Sequence, residues 1–411
     1  MERYGRVAGI FENDKCFINK DNMKRILMVA YCGRRGKGPA AYVGDIISYL
    51  RQSDNNLFVD LFVTQLNSGY KESDFEANRL IIPMPNVLEK YILKIPKVRE
   101  WCWNRILLMK YKKLIETGEY GIVVFHAIPK IISDYVNIAK EFNVKILLYP
   151  WGSEILRASN KSLNNYRYAF ETADYIRGDS EMLCQKIKSV YSIPDKKFVH
   201  LCYGSKVISL ISTLRNRYTK SDLAKIVGLR EASYYITCGY NAYAGQQHER
   251  IVCEIIKVKD ILPKGYEIVF PWSYGEGVDI KKIQSMCQSN GLNVEYLQDY
   301  LSDKQMACLH LLTDLFIHIQ KTDLANSFIE EAIFAGTKVI NGGWLSYKSL
   351  EDGGIPYYLT SSSDTLNYVI KGVVKGELGD CKVSEKVKST IQKERWEEVI
   401  PNWIDFFKEN L

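Results

Sequence analysis

Two acidic residues, Asp323 and Glu331, stand eight positions apart in a segment with the features of a ligand-binding turn. The preceding residues 314–319, DLFIHI, are typical of a buried strand, and a short polar turn follows them. A helix is predicted from about Asn326 to Ala335, and a glycine separates it from the next apolar run, 338–341. A strand–loop–helix unit of this kind presents backbone N–H groups and a helix N-terminus to an anion. Because eight residues are a little over two helical turns, both acids can face one cavity.

Apolar runs alternate with helical segments on both sides of this unit. In the first half of the chain we predict strands at 25–31, 57–63, 121–126 and 145–150. After residues 205–231, which contain no strong strand, we predict strands at 234–239, 267–271, 293–297, 314–319 and 338–341. Strands that alternate with helices of this length indicate an α/β fold, with two Rossmann-like domains that face a central cleft.

These breaks divide the chain into five predicted parts. Residues 1–22 form an N-terminal extension, 23–207 the first Rossmann-like domain and 208–231 a linker. Residues 232–380 form the second Rossmann-like domain, and 381–411 are C-terminal helices that pack toward the first domain. Aromatic residues recur at helical spacing in this last part, so we expect its helix to cross back and brace the first domain.

Composition and charge narrow the functional classes. The chain has 411 residues, of which 46% are apolar and 25% charged, as in an ordinary globular protein. No apolar run approaches the roughly 18 residues of a membrane span, and no signal peptide is visible, so we expect a cytoplasmic protein. Ten cysteines lie scattered without CxxC spacing or a Cys/His cluster, which argues against a metal site. Residues 1–215 carry a net charge of +11 and residues 216–411 a net −4, so the first half is expected to meet an anionic surface or substrate.

Residues 79–113 form a basic and aromatic segment of the first half. The segment holds nine basic and two acidic residues, interleaved with Trp101, Trp103, Tyr91 and Tyr111. A stretch of this kind suits a helix on a membrane surface, where lysine and arginine meet anionic headgroups, and would place the protein peripherally on the inner face of the plasma membrane. The alternative is a core helix of the first domain whose charged face is solvated. Nucleic acid is not an expected partner, because no recognised nucleic-acid module is present.

Several segments resemble, in the right order, GT-B glycosyltransferases, especially family 4 of the glycosyltransferase classification. They are CGRRGKGPAAYVGDII, VVFHA, YPWGSEILR, ADYIRGDSEM and YYITCGYNAYAGQQHER, followed by Asp323 to Ile340, which resembles the family's E-x7-E segment. The sequence departs from that pattern, because Asp323 replaces the first glutamate and the basic pair that commonly grips the diphosphate is not obvious. The second half is also similar to the fucosamine-type transferase of enterobacterial common antigen, an inverting enzyme. The matching groups are Tyr240-Asn241, Gln247-His248 and Ser273-Tyr274-Gly275.

The resemblance implies transfer of a hexose-type sugar from a UDP-, GDP- or dTDP-linked donor to a glycan acceptor. A polyprenyl-pyrophosphate-linked intermediate of cell-surface polysaccharide, such as lipopolysaccharide or capsule, is the expected acceptor, and the first domain is expected to bind it. No further cofactor is implied, and no DxD motif stands in a setting that indicates a metal. Retention of configuration is slightly favoured over inversion, which stays open.

Two other classes compete with this interpretation. A catalytically inactive GT-B partner that activates another transferase is compatible with the altered E-x7-E segment. A dinucleotide-dependent oxidoreductase is disfavoured, because the first glycine-rich loop has the order G-x-x-G-x-G and no acid closes the second strand.

Four residues are assigned to the sugar by this resemblance, each with a structural alternative. Glu331 would bond the ribose hydroxyls of the donor, although one of Glu330 and Glu331 is expected on the helix surface. Asp323 would face the donor sugar near the anomeric carbon, or cap the following helix. His126 would contact the sugar or phosphate, or be a satisfied strand-end histidine. Glu154 would act as a base or bind a hydroxyl group, or cap the helix after it.

The leaving diphosphate needs N–H groups and cations to stabilise its growing charge. His248 begins a helix and would touch a phosphate or be polar surface. Ser273 and Tyr274 match a strand end of the fucosamine-type transferase and are further candidates for binding the donor. The remaining candidates are the backbone at Gly36 and Gly38, the turn at Tyr240 and Asn241, the loop with Asn326 and Ser327, and the side chain of Lys321.

Overall fold

The computed structural model describes residues 24–30, 39–66, 70–71, 74–323, 327–351, 354–381 and 383–411. The predicted N-terminal extension, Gly36, Gly38 and Asn326 lie outside these residues. Two parallel β-sheets with helices packed against them make up the structure. No helix of the described part is long and apolar enough to cross a membrane.

The first sheet has seven strands in the order β3-β2-β1-β4-β5-β6-β7. Its elements are β1 (Arg25–Ala30), α1 (Pro39–Ser53), β2 (Val59–Val63), β3 (Arg79–Ile81), α2 (Val87–Ile92), α3 (Pro96–Ile115), β4 (Tyr120–His126), α4 (Ile132–Glu141), β5 (Lys145–Tyr149), α5 (Ser153–Leu156), α6 (Asn160–Thr172), β6 (Tyr175–Arg177), α7 (Glu181–Val190) and β7 (Phe198–Val199). The inner strands are uninterrupted apolar runs because helices cover both faces of a parallel sheet.

The second sheet has six strands in the order β10-β9-β8-β11-β12-β13. Its elements are α8 (Lys206–Leu214), α9 (Lys220–Val227), β8 (Tyr234–Cys238), α10 (His248–Val258), β9 (Tyr266–Pro271), α11 (Ile280–Ser289), β10 (Val294–Leu297), α12 (Asp303–Leu312), β11 (Leu315–His318), α13 (Ser327–Ala335), β12 (Lys338–Gly342), α14 (Lys348–Glu351), β13 (Tyr358–Thr360) and α15 (Leu366–Lys375). The chain closes with α16 (Glu385–Gln392) and α17 (Trp396–Asn410).

Both sheets have the same connectivity, and it confirms the predicted pair of Rossmann-like domains. In each sheet the first strand lies between the second and the fourth, so the strand order reverses between β1 and β4 and between β8 and β11. Ligands of such sheets bind outside the carboxyl ends of the strands at this reversal. Residues 208–231, which we predicted as a linker, form most of α8 and α9, and both helices pack against α12.

Helix α17 crosses back onto the first domain, as predicted. Trp396 stacks on Tyr49 of α1 with ring centroids 5.0 Å apart, and Trp403 lies 5.4 Å from the ring of Tyr149. The Trp403 indole also donates a 2.8 Å hydrogen bond to the carbonyl oxygen of Cys202. The last helix therefore belongs to the core of the first domain, whereas α16 packs against α13 and α14 of the second.

The chain passes between the domains through two segments that lie side by side. Ser205, on the way out, donates a 2.7 Å backbone hydrogen bond to the carbonyl oxygen of Glu394, on the way back. A Cβ atom on the neighbouring Gly204 would lie 2.7 Å from the Cα atom of Trp396. Only glycine fits at this contact. We call residues 204–205 and 394–396 the crossover.

Candidate functional site

The carboxyl ends of the two sheets face each other across a cleft, and Tyr42 spans it. Tyr42 lies in the first turns of α1, and its hydroxyl group hydrogen-bonds the side chain of Ser327, the first residue of α13. On the first-domain side its ring lies 5.6 Å from Trp151 and 5.3 Å from Tyr203. The predicted residue Ser327 therefore lines the cleft.

His126 ends β4 and is buried on the first-domain side of the cleft. Its Nδ1 atom lies 3.3 Å from the hydroxyl group of Tyr203, and its Nε2 atom has no hydrogen-bond partner among the described residues. Burial, with a smaller contribution from the Arg177 charge, lowers the pKa of His126 to about 3. The ring is therefore neutral near pH 7 and can exchange hydrogen bonds with a ligand without carrying charge.

Arg177 and Asp179 form a buried ion pair behind His126 that the sequence analysis did not single out. The guanidinium group of Arg177 bonds both carboxylate oxygens of Asp179, with 2.6 Å for one contact, and the carbonyl oxygen of Pro150 at 3.1 Å. It also lies 4.7 Å from the ring centre of Tyr149 and 5.4 Å from that of Tyr203. The ion pair holds in place the rings of Tyr149 and Tyr203, against which His126 packs. The available signal was the Arg-Gly-Asp triplet in the segment ADYIRGDSEM, at the end of the short strand β6.

Glu154 lies in the first turn of the short helix α5. One of its carboxylate oxygens accepts a 2.7 Å hydrogen bond from the backbone N–H group of Trp151. Gly152, between them, has φ of 115°, a left-handed conformation that glycine adopts without strain. This contact holds the turn after β5, and it places the Trp151 ring 5.2 Å from that of Tyr203.

Tyr240 and Asn241 follow β8 on the second-domain side, in a turn supported from beneath by His248. The Nε2 atom of His248 lies 2.7 Å from the carbonyl oxygen of Asn241 and 3.1 Å from the indole nitrogen of Trp272. Burial lowers the pKa of His248 to about 4, so the ring is neutral. His248 would therefore act on a ligand by holding the turn at Tyr240 and Asn241 in position.

The loop after β9 packs directly against this turn. The carbonyl oxygen of Tyr274 accepts a 2.7 Å hydrogen bond from the backbone of Ala242, and the side chain of Tyr274 bonds that of Asn241. Ser273 is buried beside them. The backbone N–H group of Lys321 bonds the carbonyl oxygen of Gly245 at 2.9 Å and leaves the Lys321 side chain exposed. The predicted donor-binding groups of β8, β9 and β11 thus come together.

Asp323 joins a buried polar cluster at the end of β11. It accepts a 3.0 Å hydrogen bond from the hydroxyl group of Tyr347, and one of its oxygens lies 3.3 Å from Nε2 of His318. His318 also lies 2.9 Å from the Tyr347 hydroxyl group. Neither His318 nor Tyr347 was predicted, although a histidine at the end of a buried strand could have indicated the first.

Glu331 connects the second domain with the crossover. Its Oε1 atom accepts a 2.7 Å hydrogen bond from the Ser205 hydroxyl group, and its Oε2 atom lies 3.0 Å from Nε2 of the buried His310. Each carboxylate oxygen has a second lone pair, so these contacts orient the group and leave acceptor capacity for a ligand.

The expectation that either Glu330 or Glu331 lies on the helix surface is wrong, because both side chains are buried. Helix α16 and the crossover cover the face of α13 that a helix on the outside of a sheet would expose. The Glu330 carboxyl group hydrogen-bonds that of Glu394 from the crossover. Burial, and then the charge of Glu394, raise the pKa of Glu330 well above its usual range. The buried Glu330 and the half-buried Glu394 therefore share a proton between the second domain and the returning chain.

Because of this pair, we expect the stability of the protein to depend on pH, and we expect this dependence to be weaker in Glu330→Gln. Because the pKa of Glu330 is higher in the folded than in the unfolded protein, its stabilising contribution is complete below the unfolded pKa near 4.3 and is lost as the pH rises through the folded pKa. Glutamine does not titrate. From pH 5 to pH 8 the free energy of unfolding should fall in the wild type by on the order of 1 kcal/mol more than in Glu330→Gln. In thermal unfolding this difference corresponds to a midpoint that falls by about 2–4 °C more in the wild type. Glu398→Gln, on exposed α17 surface, is the control, and equal pH slopes in all three proteins would contradict the prediction.

No group of three His, Cys, Asp or Glu side chains that could hold a metal ion occurs within the described ranges. The cleft instead offers backbone N–H groups, the N-terminus of α13 and the exposed Lys321. These groups can bind an anion through helix and turn dipoles.

Comparisons with known proteins give a match at the level of structure. No family model matches the chain, and no curated protein matches it by sequence. Anabaena HepE in complex with UDP and glucose is 14% identical, with a TM-score of 0.65 over 94% of this chain and 100% of that one. The lipopolysaccharide outer core galactosyltransferase WaaB is 14% identical, with a TM-score of 0.63 over 95% of this chain and 100% of that one. A UDP-GlcNAc 2-epimerase from Neisseria meningitidis, bound to UDP-GlcNAc, is 14% identical, with a TM-score of 0.61 over 94% and 100% of the two chains. The chain therefore has the GT-B fold, and it shares this fold with the glycosyltransferases among these structures.

Proposed function

We propose that the protein is a glycosyltransferase that moves a sugar from a nucleotide-sugar donor to a lipid-linked glycan acceptor. The observation that carries the proposal is the position of Asp323 and Glu331. Asp323 follows β11 at the carboxyl edge of the second sheet, and Glu331 lies in α13, whose first residue contacts Tyr42 across the cleft. Both acids, recognised from their spacing, belong to buried hydrogen-bond networks. The resemblance to family 4 and to the fucosamine-type transferase stays a prediction, as does the stereochemical outcome.

In this proposal the second domain binds the donor. Glu331 accepts hydrogen bonds from the ribose hydroxyl groups, and Asp323 faces the sugar near the anomeric carbon. The turn at Tyr240 and Asn241, the N-terminus of α13 and Lys321 surround the diphosphate, whose negative charge grows as the glycosidic bond to it breaks. His126 and Glu154 face the sugar and the acceptor from the first domain.

The structure supports a membrane-bound acceptor through helices α2 and α3. No residue of α2 is buried, and the side chains of Val87, Leu88 and Tyr91 are each about two-thirds exposed. Trp101 of α3 is 64% exposed. Exposed lysine and arginine residues at 90, 94, 97, 99 and 105 surround these apolar groups. We call these apolar and basic side chains the docking face, and its chemistry matches an anionic bilayer surface.

The alternative of a core helix describes α3 from Cys102 onward. Leu107, Tyr111 and Ile115 are buried in the first-domain core, whereas residues 94–101 of the preceding turns are exposed. What distinguishes α2 and the first turns of α3 is that several exposed apolar side chains lie together among exposed basic residues, a combination that suits an anionic bilayer surface. One solved structure of this fold is a UDP-GlcNAc 2-epimerase bound to UDP-GlcNAc, so the fold also occurs in an enzyme that is not a transferase. The docking face favours sugar transfer to a membrane-bound acceptor over epimerisation of a nucleotide sugar.

Nucleotide binding tests the donor assignment directly. UDP, GDP and dTDP should each be titrated in a thermal unfolding assay, with AMP as the control. The correct diphosphate is expected to raise the apparent unfolding free energy by about 1.4 kcal/mol for each tenfold increase above its Kd, because it binds only the folded protein. If none of the diphosphates or their nucleotide sugars shifts the midpoint more than AMP, the proposal fails.

If the protein is instead an inactive partner of another transferase, it should still bind a nucleotide sugar but should not catalyse its transfer. A protein that binds a nucleotide sugar, but neither transfers nor hydrolyses it in the presence of a membrane extract with lipid-linked glycans, would be a partner and not an enzyme. Release of nucleoside diphosphate in that assay supports transfer.

A further inference from the structure

The loop after β12, residues 343–347, holds the turn that carries Asp323. This turn, residues 320–323, directly follows β11, which pairs with β12 in the second sheet. The indole N–H group of Trp344 donates a 2.8 Å hydrogen bond to the carbonyl oxygen of Gln320, at the start of the turn. The hydroxyl group of Tyr347 donates one of 3.0 Å to the carboxylate of Asp323, at its end. One loop therefore contacts both ends of the turn.

The same turn is held on its other side by the loop after β8, because β11 lies between β8 and β12 in the sheet. The backbone N–H group of Lys321 donates a 2.9 Å hydrogen bond to the carbonyl oxygen of Gly245. The side-chain amide of the buried Gln246 donates one of 2.7 Å to Oε1 of Gln320. Tertiary contacts from two neighbouring loops thus set the position of Asp323 before any ligand arrives.

Two side chains meet the same carboxylate oxygen of Asp323. Its Oδ2 atom accepts the hydrogen bond from Tyr347 and lies 3.3 Å from Nε2 of His318, which is 2.9 Å from the Tyr347 oxygen. A carboxylate only accepts, so the single hydrogen of the Tyr347 hydroxyl group points to Asp323, and Nε2 of His318 must be the donor to the Tyr347 oxygen. The Nδ1 atom of His318 has no partner among the described residues, and in this tautomer it carries no hydrogen.

Burial keeps this arrangement in place. His318 and Tyr347 are buried, and the Asp323 side chain is only 9% exposed. The backbone N–H group of Tyr347 donates a 3.1 Å hydrogen bond to Oε1 of Glu351 in α14, which anchors the loop. Burial, and then the charge of Asp323, raise the pKa of Tyr347 well above its usual range, so its hydroxyl group stays a donor at neutral pH. A different orientation of the Asp323 carboxylate would break both contacts.

We propose that Tyr347, supported by His318, is a positioning residue that holds the Asp323 carboxylate in the orientation in which it meets the donor sugar. The inference rests on the proposed function for the identity of the ligand. Neither Tyr347 nor His318 takes part in a chemical step. A displacement of about 1 Å near a reacting centre can cost about 100-fold in rate, so a group that only orients Asp323 matters for transfer.

The test compares nucleotide sugars with their own diphosphates. The probes are UDP-glucose, UDP-N-acetylglucosamine and GDP-mannose, each measured beside UDP or GDP by calorimetry, and the ratio of the two affinities is the sugar preference. For at least one pair, Asp323→Asn should lower the preference by about tenfold and Tyr347→Phe by about 3- to 10-fold, with diphosphate affinity nearly unchanged. The double variant should lose no more than Asp323→Asn alone, because no carboxylate is left to position.

Tyr358→Phe is the matched control. It also removes a buried tyrosine hydroxyl group from the second domain, at the start of β13, where that group donates a 2.7 Å hydrogen bond to the carbonyl oxygen of Gly379. Thermal unfolding is expected to show a similar loss of stability in Tyr358→Phe and Tyr347→Phe. Only Tyr347→Phe should change the sugar preference.

Four contrary results are distinguishable. Additive losses in the double variant, or an equal loss of preference in Tyr358→Phe, overturn the positioning role. If Asp323→Asn lowers the preference and Tyr347→Phe does not, this inference alone is wrong. If Asp323→Asn leaves every preference unchanged although a diphosphate binds, Asp323 does not meet the sugar, and the inference fails while the nucleotide site stands. If no nucleotide binds, the donor site is wrong and the inference falls with it.

Discussion

Replacement of Glu331 by glutamine is expected to weaken nucleoside diphosphate binding by about 10- to 100-fold, because hydrogen bonds to a charged group contribute ~1.5–3 kcal/mol. Glutamine keeps the shape of the side chain and removes the charge that two ribose hydroxyl groups would use. Ser205 and His310 already hold the carboxylate in place, so the group has a defined orientation before the ligand arrives. Turnover with the complete substrates is expected to fall at least as far.

A structural role of Glu331 gives a different pattern, and a ribose analogue separates the two. The 2′,3′-dideoxy form of the preferred nucleoside diphosphate lacks the hydroxyl groups in question. The wild type should bind the natural nucleotide better than the analogue, and Glu331→Gln should lose that preference. If the variant weakens both ligands equally, Glu331 acts only on the packing of α13 and the crossover. Glu330→Gln, one residue away, is the matched control and should keep the preference, because Glu330 faces Glu394 and not the ribose.

Introduction of glutamate at Leu88, Tyr91 and Trp101 together is expected to abolish vesicle binding, with a loss of at least about 100-fold in the partition coefficient. Burial of each apolar side chain in the interface contributes ~1.5–3 kcal/mol, and each new negative charge is repelled by anionic headgroups. The measurement is co-sedimentation with phosphatidylethanolamine vesicles that contain phosphatidylglycerol, at low and high salt. Binding of the wild type should fall with salt, because the basic side chains of the docking face contribute through a screened attraction.

A second triple variant controls for exposed apolar groups in general. Tyr168, Met182 and Tyr368 are 45%, 47% and 70% exposed, and they lie outside the docking face. Their replacement by glutamate adds the same charge and should leave vesicle binding nearly unchanged. Equal losses in the two triple variants would show that net charge and not the docking face determines binding. Neither set is buried, so both variants are expected to fold.

Local pattern predicted the sheets and the strand-end residues of the site. Apolar runs without polar interruption identified β1, β4 and β11, because a parallel sheet is covered on both faces. His126 was proposed because VVFHA resembles the histidine-ended strand of the family. Asp323 and Glu331 were proposed because their spacing of eight residues lets both face one cavity and resembles the E-x7-E segment.

The partners of these residues could not be predicted, because they come from distant parts of the chain. Glu331 contacts His310 on the previous helix and Ser205, 126 positions earlier. The error on Glu330 has the same origin. The pattern of α13 shows which side packs on the sheet, but the chain that covers its other side, at Glu394, is specified by tertiary packing alone.

The return of α17 to the first domain has a consequence for the order in which the protein folds. Trp396, Trp403 and Phe407 complete a core whose strands come from residues near the start of the chain. A ribosome releases those strands several hundred residues before it releases α17. The strands of each sheet come from one continuous stretch of the chain, so those of the first sheet can pair before the second sheet is made. The apolar surface of the first domain that α17 covers, however, stays exposed during synthesis until the last helix emerges, after the second sheet.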